Sequence, residues 1–401
     1  MRAISPVDPK LVAQDTWSLS RDELEAWLRL EATPGVGNTT ARQLLAAFGL
    51  PQQVFEASAT SLEQVVSARV RAALQQVPDG LPAALETTWV WLQASPSQHR
   101  LLTLGDPCYP RSLLNMEDPP LLLYGMGAGK SWNSSGLRDT MASSLAVVGS
   151  RNPTPQGAVN ARQFSRALAQ EGLTIVSGLA LGVDGQAHEG ALEGAGDEQL
   201  ATIAVVGTGL DRVYPRQHRD LAHRIAQRGV LLSEYPLGTP PVSGNFPKRN
   251  RLIAGLTRGT LVIEAALKSG SLITARLASE QGKDVFAVPG SIHSTQARGC
   301  HALIKQGAKL VESALDILEE IGEPRFDPSK GADRTLLDAS SPVDCEDDLL
   351  NALGFVPLGL DALQARTGLD IATLQARLME LEINGQLARL PGGLFQRVVM
   401  V

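Results

Sequence analysis

VVGSRNPTPQG, residues 147–157, runs from a strand end through a Gly-Ser-Arg loop into a helix start. Strand, glycine turn and helix are the repeating unit of a parallel sheet. The unit recurs through the middle of the chain. Apolar, β-branched runs stand at LAVVG (145–149), LTIVSG (173–178), ATIAVVG (201–207), VLLSE (230–234), TLVIEA (260–265), DVFAVPG (284–290) and AKLV (308–311), with helix-length segments such as 155–170 and 216–228 between most of them. Several runs are apolar throughout instead of alternating, as strands covered on both faces are. The expected class is α/β, with a doubly wound parallel sheet over residues 99–322.

Outside this zone the pattern changes. Residues 1–98 read as all-helical: Leu24, Trp27, Leu28 and Leu30 recur at helical spacing, and TPGVGNTTARQLLAAFG (33–49) is a tight Gly-Val-Gly turn feeding an amphipathic helix. Residues 323–348 hold eight acids, three basic residues and three prolines, the composition of a solvated linker. Residues 349–401 read as three helices and two strands turning at 391–393, a winged helix.

Composition narrows the function classes. The 401 residues are 43% hydrophobic and 19% charged, a core-forming chain of more than one domain. Net charge is −6, so a polyanion is held by a local patch and not by the whole surface. Cys108, Cys300 and Cys345 lie far apart, which argues against disulfides and structural zinc and fits a reducing cytoplasm. The first residues lack the apolar core of a signal peptide, and no run approaches the ~18 apolar residues of a membrane span.

The loops after the strands carry the chemistry, because a parallel sheet presents its ligands there. Gly149 admits a ligand to the backbone, the next helix start favours an anion, and Arg151 offers a fork for phosphate; a plain βα turn with a surface arginine fits equally well. SGLALGVDGQAH (177–188) repeats the arrangement with Ser177, but its spacing, Gly178 to Gly182, is not the dinucleotide fingerprint. Asp184 and His188 stand four apart, a local helix-start pair more than a metal pair. VVGTGLDRVYP (205–215) and EAALKSGSLITA (264–275) supply two further glycine or serine loops.

GNFPKRNRLIAGLTRG, residues 244–259, carries Lys248, Arg249, Arg251 and Arg258 without an acid. Arg251 and Arg258 share a helical phase. Four unpaired cations repel one another, and a bound polyanion relieves them. Phe246 beside them is either a core staple or a base-stacking ring. Convergence of all these loops on one rim of one sheet favours a groove that tracks phosphates. Walker, G-x-S-x-G and H-E-x-x-H motifs are absent, and no cofactor is expected. The rival is a nucleotide-cleaving enzyme of phosphoribohydrolase type with Glu264 as its catalytic group; a second rival is a duplex-DNA architectural factor.

GSRNPTPQG, SGLALGVDGQAH, VVGTGLDRVYP, SEYPLG, NFPKRNRLIAGL, SGSLITARLA and FAVPG, in that order, resemble the DNA-processing protein A (Smf) family of bacterial natural transformation. The resemblance spans nearly all of 100–322. It implies an extended Rossmann-like domain that binds single-stranded DNA, forms homodimers, loads RecA recombinase and holds off single-strand-binding protein; such proteins are not known as enzymes. It implies a strand groove lined by Gly149, Ser150 and Arg151; by Ser177, Gly178, Ala180, Gly182 and Asp184; by Gly244, Asn245, Phe246, Lys248, Arg249, Asn250 and Arg251; and by Lys268, Ser269, Gly270 and Ser271. Where many members have a basic residue this chain has Ser243, a gap for Lys268 or Lys283 to fill. The first zone is similar to the family's sterile-alpha-motif-like domain, and 33–45 looks like a helix-hairpin-helix, whose Gly35 and Gly37 either meet duplex phosphate or simply turn the chain. In the tail, the helix over 370–384 has net charge −2 and the wing offers only Arg389 and Arg397. Protein contact or dimerisation, or weak duplex binding through the wing, is the expected role.

Overall fold

The computed structural model describes residues 19–128, 132, 137, 140–322, 348–355 and 357–398. The linker expected over 323–348 lies outside them except for Asp348, as do the first 18 residues. Among the described residues six helices come first: α1 (Arg21–Ala32), α2 (Asn38–Phe48), α3 (Pro51–Glu56), α4 (Ala59–Glu63), α5 (Ala68–Leu74) and α6 (Leu81–Ala94). Ser20 and Glu23 form a reciprocal capping box at the start of α1. Gly35, at φ 84°, takes the left-handed conformation that the tight α1–α2 turn needs. The apolar faces of these helices, with Leu24, Leu30, Leu44 and Val54 fully buried, run into the same core as Leu122 and Tyr124 of the sheet.

The sheet has nine strands: β1 (His99–Thr103), β2 (Leu122–Gly127), β3 (Ser144–Val148), β4 (Thr174–Ser177), β5 (Thr202–Val205), β6 (Val230–Ser233), β7 (Gly259–Val262), β8 (Asp284–Ala287) and β9 (Lys309–Leu310). Helix α7 (Arg111–Leu114) follows β1, and then α8 (Pro155–Gln170), α9 (Val183–Gly194), α10 (Arg219–Arg228), α11 (Asn245–Leu256), α12 (Ser271–Glu280), α13 (Arg298–Lys305) and α14 (Ala314–Ile321) follow β3 to β9 in turn. The order is β1-β2-β6-β5-β4-β3-β7-β8-β9. All seven expected strands are present and pair in parallel. Alternation along them feeds two cores. Leu145, Val147 and Ile175 enter one, while Ala146, Val148 and Val176 enter the other, so both faces of these strands are covered.

Two strands correct the expectation of a wholly parallel sheet. β1 pairs antiparallel with β2, and β2 with β6, placing Tyr124 opposite Ser233. Prolines surround both strands and mask them in the sequence, and an antiparallel edge needs no crossover helix to betray it. The topology fixes the site. From β3 the chain steps outward through β4, β5 and β6, then returns to β7 on the other side of β3. Between the carboxyl ends of β3 and β7 the connections diverge, and a crevice opens there.

The last elements are α15 (Asp348–Leu353), β10 (Leu358–Gly359), α16 (Leu360–Thr367), α17 (Ile371–Ile383), β11 (Leu387–Leu390) and β12 (Leu394–Arg397). They close around a core of their own, with Leu363, Leu374 and Leu378 at its centre. The short β10 joins the expected pair as a third strand in the order β10-β12-β11. Among the described residues no helix is long and apolar enough to cross a membrane.

Candidate nucleic-acid interface

A cavity of about 530 Å³ lies at the switch point, lined from the loop after β3, the loop after β4, the first turns of α11 and the start of α12. Arg151, Arg249 and Ser271 all line it, as one shared rim requires. Gly149 lies against Val183, where an added Cβ would come within 2.7 Å of that side chain. Ser150 is buried; its carbonyl accepts from Val183 N at 3.1 Å, and its hydroxyl accepts from Asn152 N at 3.1 Å. Arg151 is exposed, its guanidinium 5.8 Å from the centre of the Phe246 ring.

The loop after β4 is built around a carboxylate. Leu179 is held at φ 58°, a strained setting for a side chain with a Cβ. Around it, Gly178 N and Ala180 N donate to Asp184 Oδ2 at 3.1 and 3.3 Å. Burial pushes the Asp184 carboxyl up, against the pull of Arg249 and the two amides. Ala180 and Asp184 line the cavity; Ser177, Gly178 and Gly182 do not. Ser177 is fully buried and donates to Val147 O at 2.7 Å, so its hydroxyl ties two strands together. Gly182, at φ 80°, leaves room for the Ser150 carbonyl. His188 shares a hydrogen bond of 2.7 Å with the Thr202 hydroxyl, and burial pushes its imidazole down to about 3. Among the described residues no group of three or more His, Cys, Asp or Glu gathers as metal ligands do.

The cationic island behaves differently from the expectation. Arg249 is buried, donating to Gly178 O at 2.5 Å and to Val205 O; burial lowers its pKa to about 10. Gly178 is required by that contact, since a Cβ there would meet the guanidinium at 2.2 Å. Arg251 lies outside the cavity, paired with Glu234 and donating to Asp118 O at 2.6 Å. Arg258, beyond the end of α11, donates to Ala142 O at 3.1 Å and to Ile321 O. Three of the four charges therefore have partners brought from far along the chain. Lys248 is exposed, 5.8 Å from the Tyr235 ring, and lines a neighbouring cleft.

The rest of α11 and α12 set the rim. Gly244 and Asn245 precede the cavity, and Asn245 Nδ2 donates to Gly207 O at 3.1 Å. Phe246 lines the cavity, and Asn250, which lines it too, donates to Gly270 O at 3.2 Å, joining the two helix starts. Ser269 and Ser271 share a hydrogen bond of 2.7 Å, and Ser271 N donates to Ser269 Oγ at 3.3 Å. Lys268 is exposed and lines the cavity. Lys283 is elsewhere: its ammonium closes the end of α11 on Ala254 O and Gly255 O at 2.6 and 2.9 Å, and burial lowers its pKa to about 8. Asn152 and Gln296 line the cavity unforeseen, with Gln296 Nε2 donating to Asn152 O at 3.0 Å. Gln296 sits in no glycine loop, the feature by which the other positions stood out; Asn152 directly follows the Gly-Ser-Arg turn but carries no charge to single it out.

Glu264 does not line the cavity. Its carboxylate accepts from Thr154 N at 2.9 Å and from Thr154 Oγ1 at 2.6 Å, which secures the start of α8. At the α1–α2 turn, Gly37 lines a second cleft of about 470 Å³ that also holds Glu31, Asp118 and Glu234. Burial and the nearby Glu234 push Glu31 up to about 8. Lys248 lines the same cleft and Glu234 is paired with Arg251, so its charges are mixed. In the wing, Arg389 lies over Phe395 at 5.8 Å and Arg397 over Phe355 at 5.1 Å.

Residues 100–322 match the family model described as DNA recombination-mediator protein A, and residues 335–393 match that of the DprA winged helix domain. Protein Smf of Synechocystis is 36% identical over 94% of this chain and 100% of its own length. The DNA processing protein DprA of Streptococcus pneumoniae is 46% identical over 54% of this chain and 72% of its own. The X-ray structure of DNA processing protein A from the same species superimposes with a TM-score of 0.60 at 34% identity, covering 76% of this chain and 99% of that one. The chain belongs to the DNA recombination-mediator protein A family.

Proposed function

We propose that the protein binds single-stranded DNA at the switch-point cavity, without cutting it, and delivers the strand to RecA recombinase in the cytoplasm as a homodimer. The observation that carries this reading is the meeting of two exposed cations, Arg151 and Lys268, with the Gly149, Gly270 and Ser269–Ser271 backbone in one open cavity. Exposed cations gain from a phosphate that enters, because their own hydration is given up only in part. Backbone and hydroxyl groups there read no base, so binding is tolerant of sequence. The pairing edges of the bases remain free for a partner, which suits handover to a recombinase. Glu264, engaged at Thr154, is not offered to a substrate as the nucleotide-cleaving reading requires.

A titration of labelled oligonucleotides, single- and double-stranded, at two salt concentrations tests the reading. The single strand is expected to bind more tightly, with log K falling against log[salt] by about 0.7 per phosphate neutralised. Arg151→Ala is expected to weaken binding to all sequences alike and to lower the slope. Equal affinity for both forms, or a slope unmoved by Arg151→Ala, would overturn it. Addition of RecA to the bound strand, followed by its filament formation against single-strand-binding protein, tests the delivery step.

A further inference from the structure

Tyr214 is an aromatic residue left 48% exposed beside the cavity, on the loop that follows β5. Its ring centre lies 5.5 Å from that of Phe246, with the planes 36° apart. Its hydroxyl makes no hydrogen bond to the described residues. The loop is anchored without it: the Ser233 hydroxyl donates to Thr208 O at 2.7 Å, Gly238 N donates to Asp211 Oδ1 at 2.7 Å, and Gly209 N donates to Thr239 O at 3.1 Å. The ring is thus not needed to hold the loop, nor is it buried in a core.

Phe246 is fixed more firmly. It is half-buried over Gly207, where a Cβ would stand 3.1 Å from the ring, and the neighbouring Asn245 side chain is bonded to Gly207 O. The Arg151 guanidinium also lies against Phe246, at 5.8 Å. One contiguous surface therefore runs from a cation suited to phosphate, across a fixed ring, to an exposed ring. That sequence of groups matches the chemistry of a nucleotide: a charged phosphate and a flat, apolar base joined by a short sugar.

We propose that Tyr214 and Phe246 form a base-stacking step at the lip of the cavity, with the exposed Tyr214 ring receiving a nucleobase whose adjoining phosphate is held at Arg151. The step rests on the single-strand reading above and adds the bases to it. It favours a strand whose bases are unpaired, because a base within a duplex already has both faces covered.

The test compares the full chain and its Tyr214→Ala and Tyr214→Trp variants by fluorescence anisotropy, using an oligo-dT strand and an abasic sugar–phosphate strand of equal length. Tyr214→Ala is expected to weaken oligo-dT binding about ten-fold. It should leave abasic binding and the salt slope unchanged. Tyr214→Trp is expected to keep the affinity, and to lose more emission than the wild type with oligo-dT but not with the abasic strand. Equal weakening on both strands would make Tyr214 a structural residue and overturn the step. So would undiminished oligo-dT binding by Tyr214→Ala. Failure of the wild type to bind either strand would overturn the single-strand reading itself, and the step with it.

Discussion

Arg151 and Arg249 carry the same group to the same cavity and have opposite duties. Arg249 holds the carbonyl ends of β4 and β5, while Arg151 stands in solvent. Arg249→Ala leaves two buried carbonyls without a donor, and is expected to lower unfolding stability by about 2–5 kcal/mol. Arg151→Ala is expected to change stability by no more than about 0.5 kcal/mol while weakening strand binding. Urea unfolding alongside anisotropy separates the two; an Arg249→Ala protein as stable as wild type would contradict the assignment. Arg251→Ala gives a third pattern. It strands Glu234, whose side chain is only 5% exposed, and is expected to cost about 3–5 kcal/mol without altering the salt slope for DNA. Local sequence showed that four cations were present and that no acid lay among them. It did not show that Glu234 and Asp118 fold back onto Arg251, because that pairing is made by the β2–β6 edge and not by the helix.

Elements were legible where one physical pattern dominated. Strands β3 to β7 are buried along their length, and their apolar runs announced them; β8 and β9 at the edge are partly exposed. β1 and β2 carry the same apolar side chains, yet HRLLT and LLYGMG sit among prolines, and their partners were not determined by any crossover. The glycines of α9 show a different limit. Gly190 and Gly194, which no motif singles out, bring α8 against α9: a Cβ at Gly190 would meet Arg162 O at 2.0 Å, and one at Gly194 would meet Arg166 O at 2.1 Å. Backbone cannot retreat as a flexible side chain does. Gly190→Ala is therefore expected to destabilise by about 1–3 kcal/mol through forced separation of the two helices. An unchanged urea midpoint would mean that α8 shifts freely. The glycine loop at 178–182 lies at the sheet's carboxyl edge as expected, but both of its glycines serve packing, Gly178 against Arg249 and Gly182 against the Ser150 carbonyl.

At the scale of the whole molecule, the exposed cations Arg151 and Lys268 meet at the switch-point cavity, while Glu31, Asp118 and Glu234 share the cleft beside the α1–α2 turn with Lys248. The cleft gives stability a pH dependence. Glu31 is raised from 4.5 to about 8, so between those values the folded state keeps a proton that the unfolded chain releases. Stability contributed there falls as pH rises from about 4.5 to 8 and is flat above. Glu31→Gln is expected to remove that limb, its advantage over wild type in urea growing from pH 5 to pH 8; parallel profiles would refute the protonated Glu31. The last segment tests the division of labour. Its core is its own, α17 has Met379 and Ile383 exposed at 64% and 76%, and Glu380 and Glu382 lie beside them. A groove of phosphates repels such a helix, whereas a protein surface accepts it. Both exposed cations of the switch-point cavity, Arg151 and Lys268, lie before residue 322. A chain ending at 322 is therefore expected to bind single strands within about two-fold of the full protein, with the same salt slope, since the phosphates it neutralises are the same. Its duplex affinity is expected to be equally unmoved. Loss of duplex binding alone, measured by anisotropy at both salt concentrations, would instead give the wing cations Arg389 and Arg397 the duplex contact, and would turn the tail from a protein-facing module into a second nucleic-acid site.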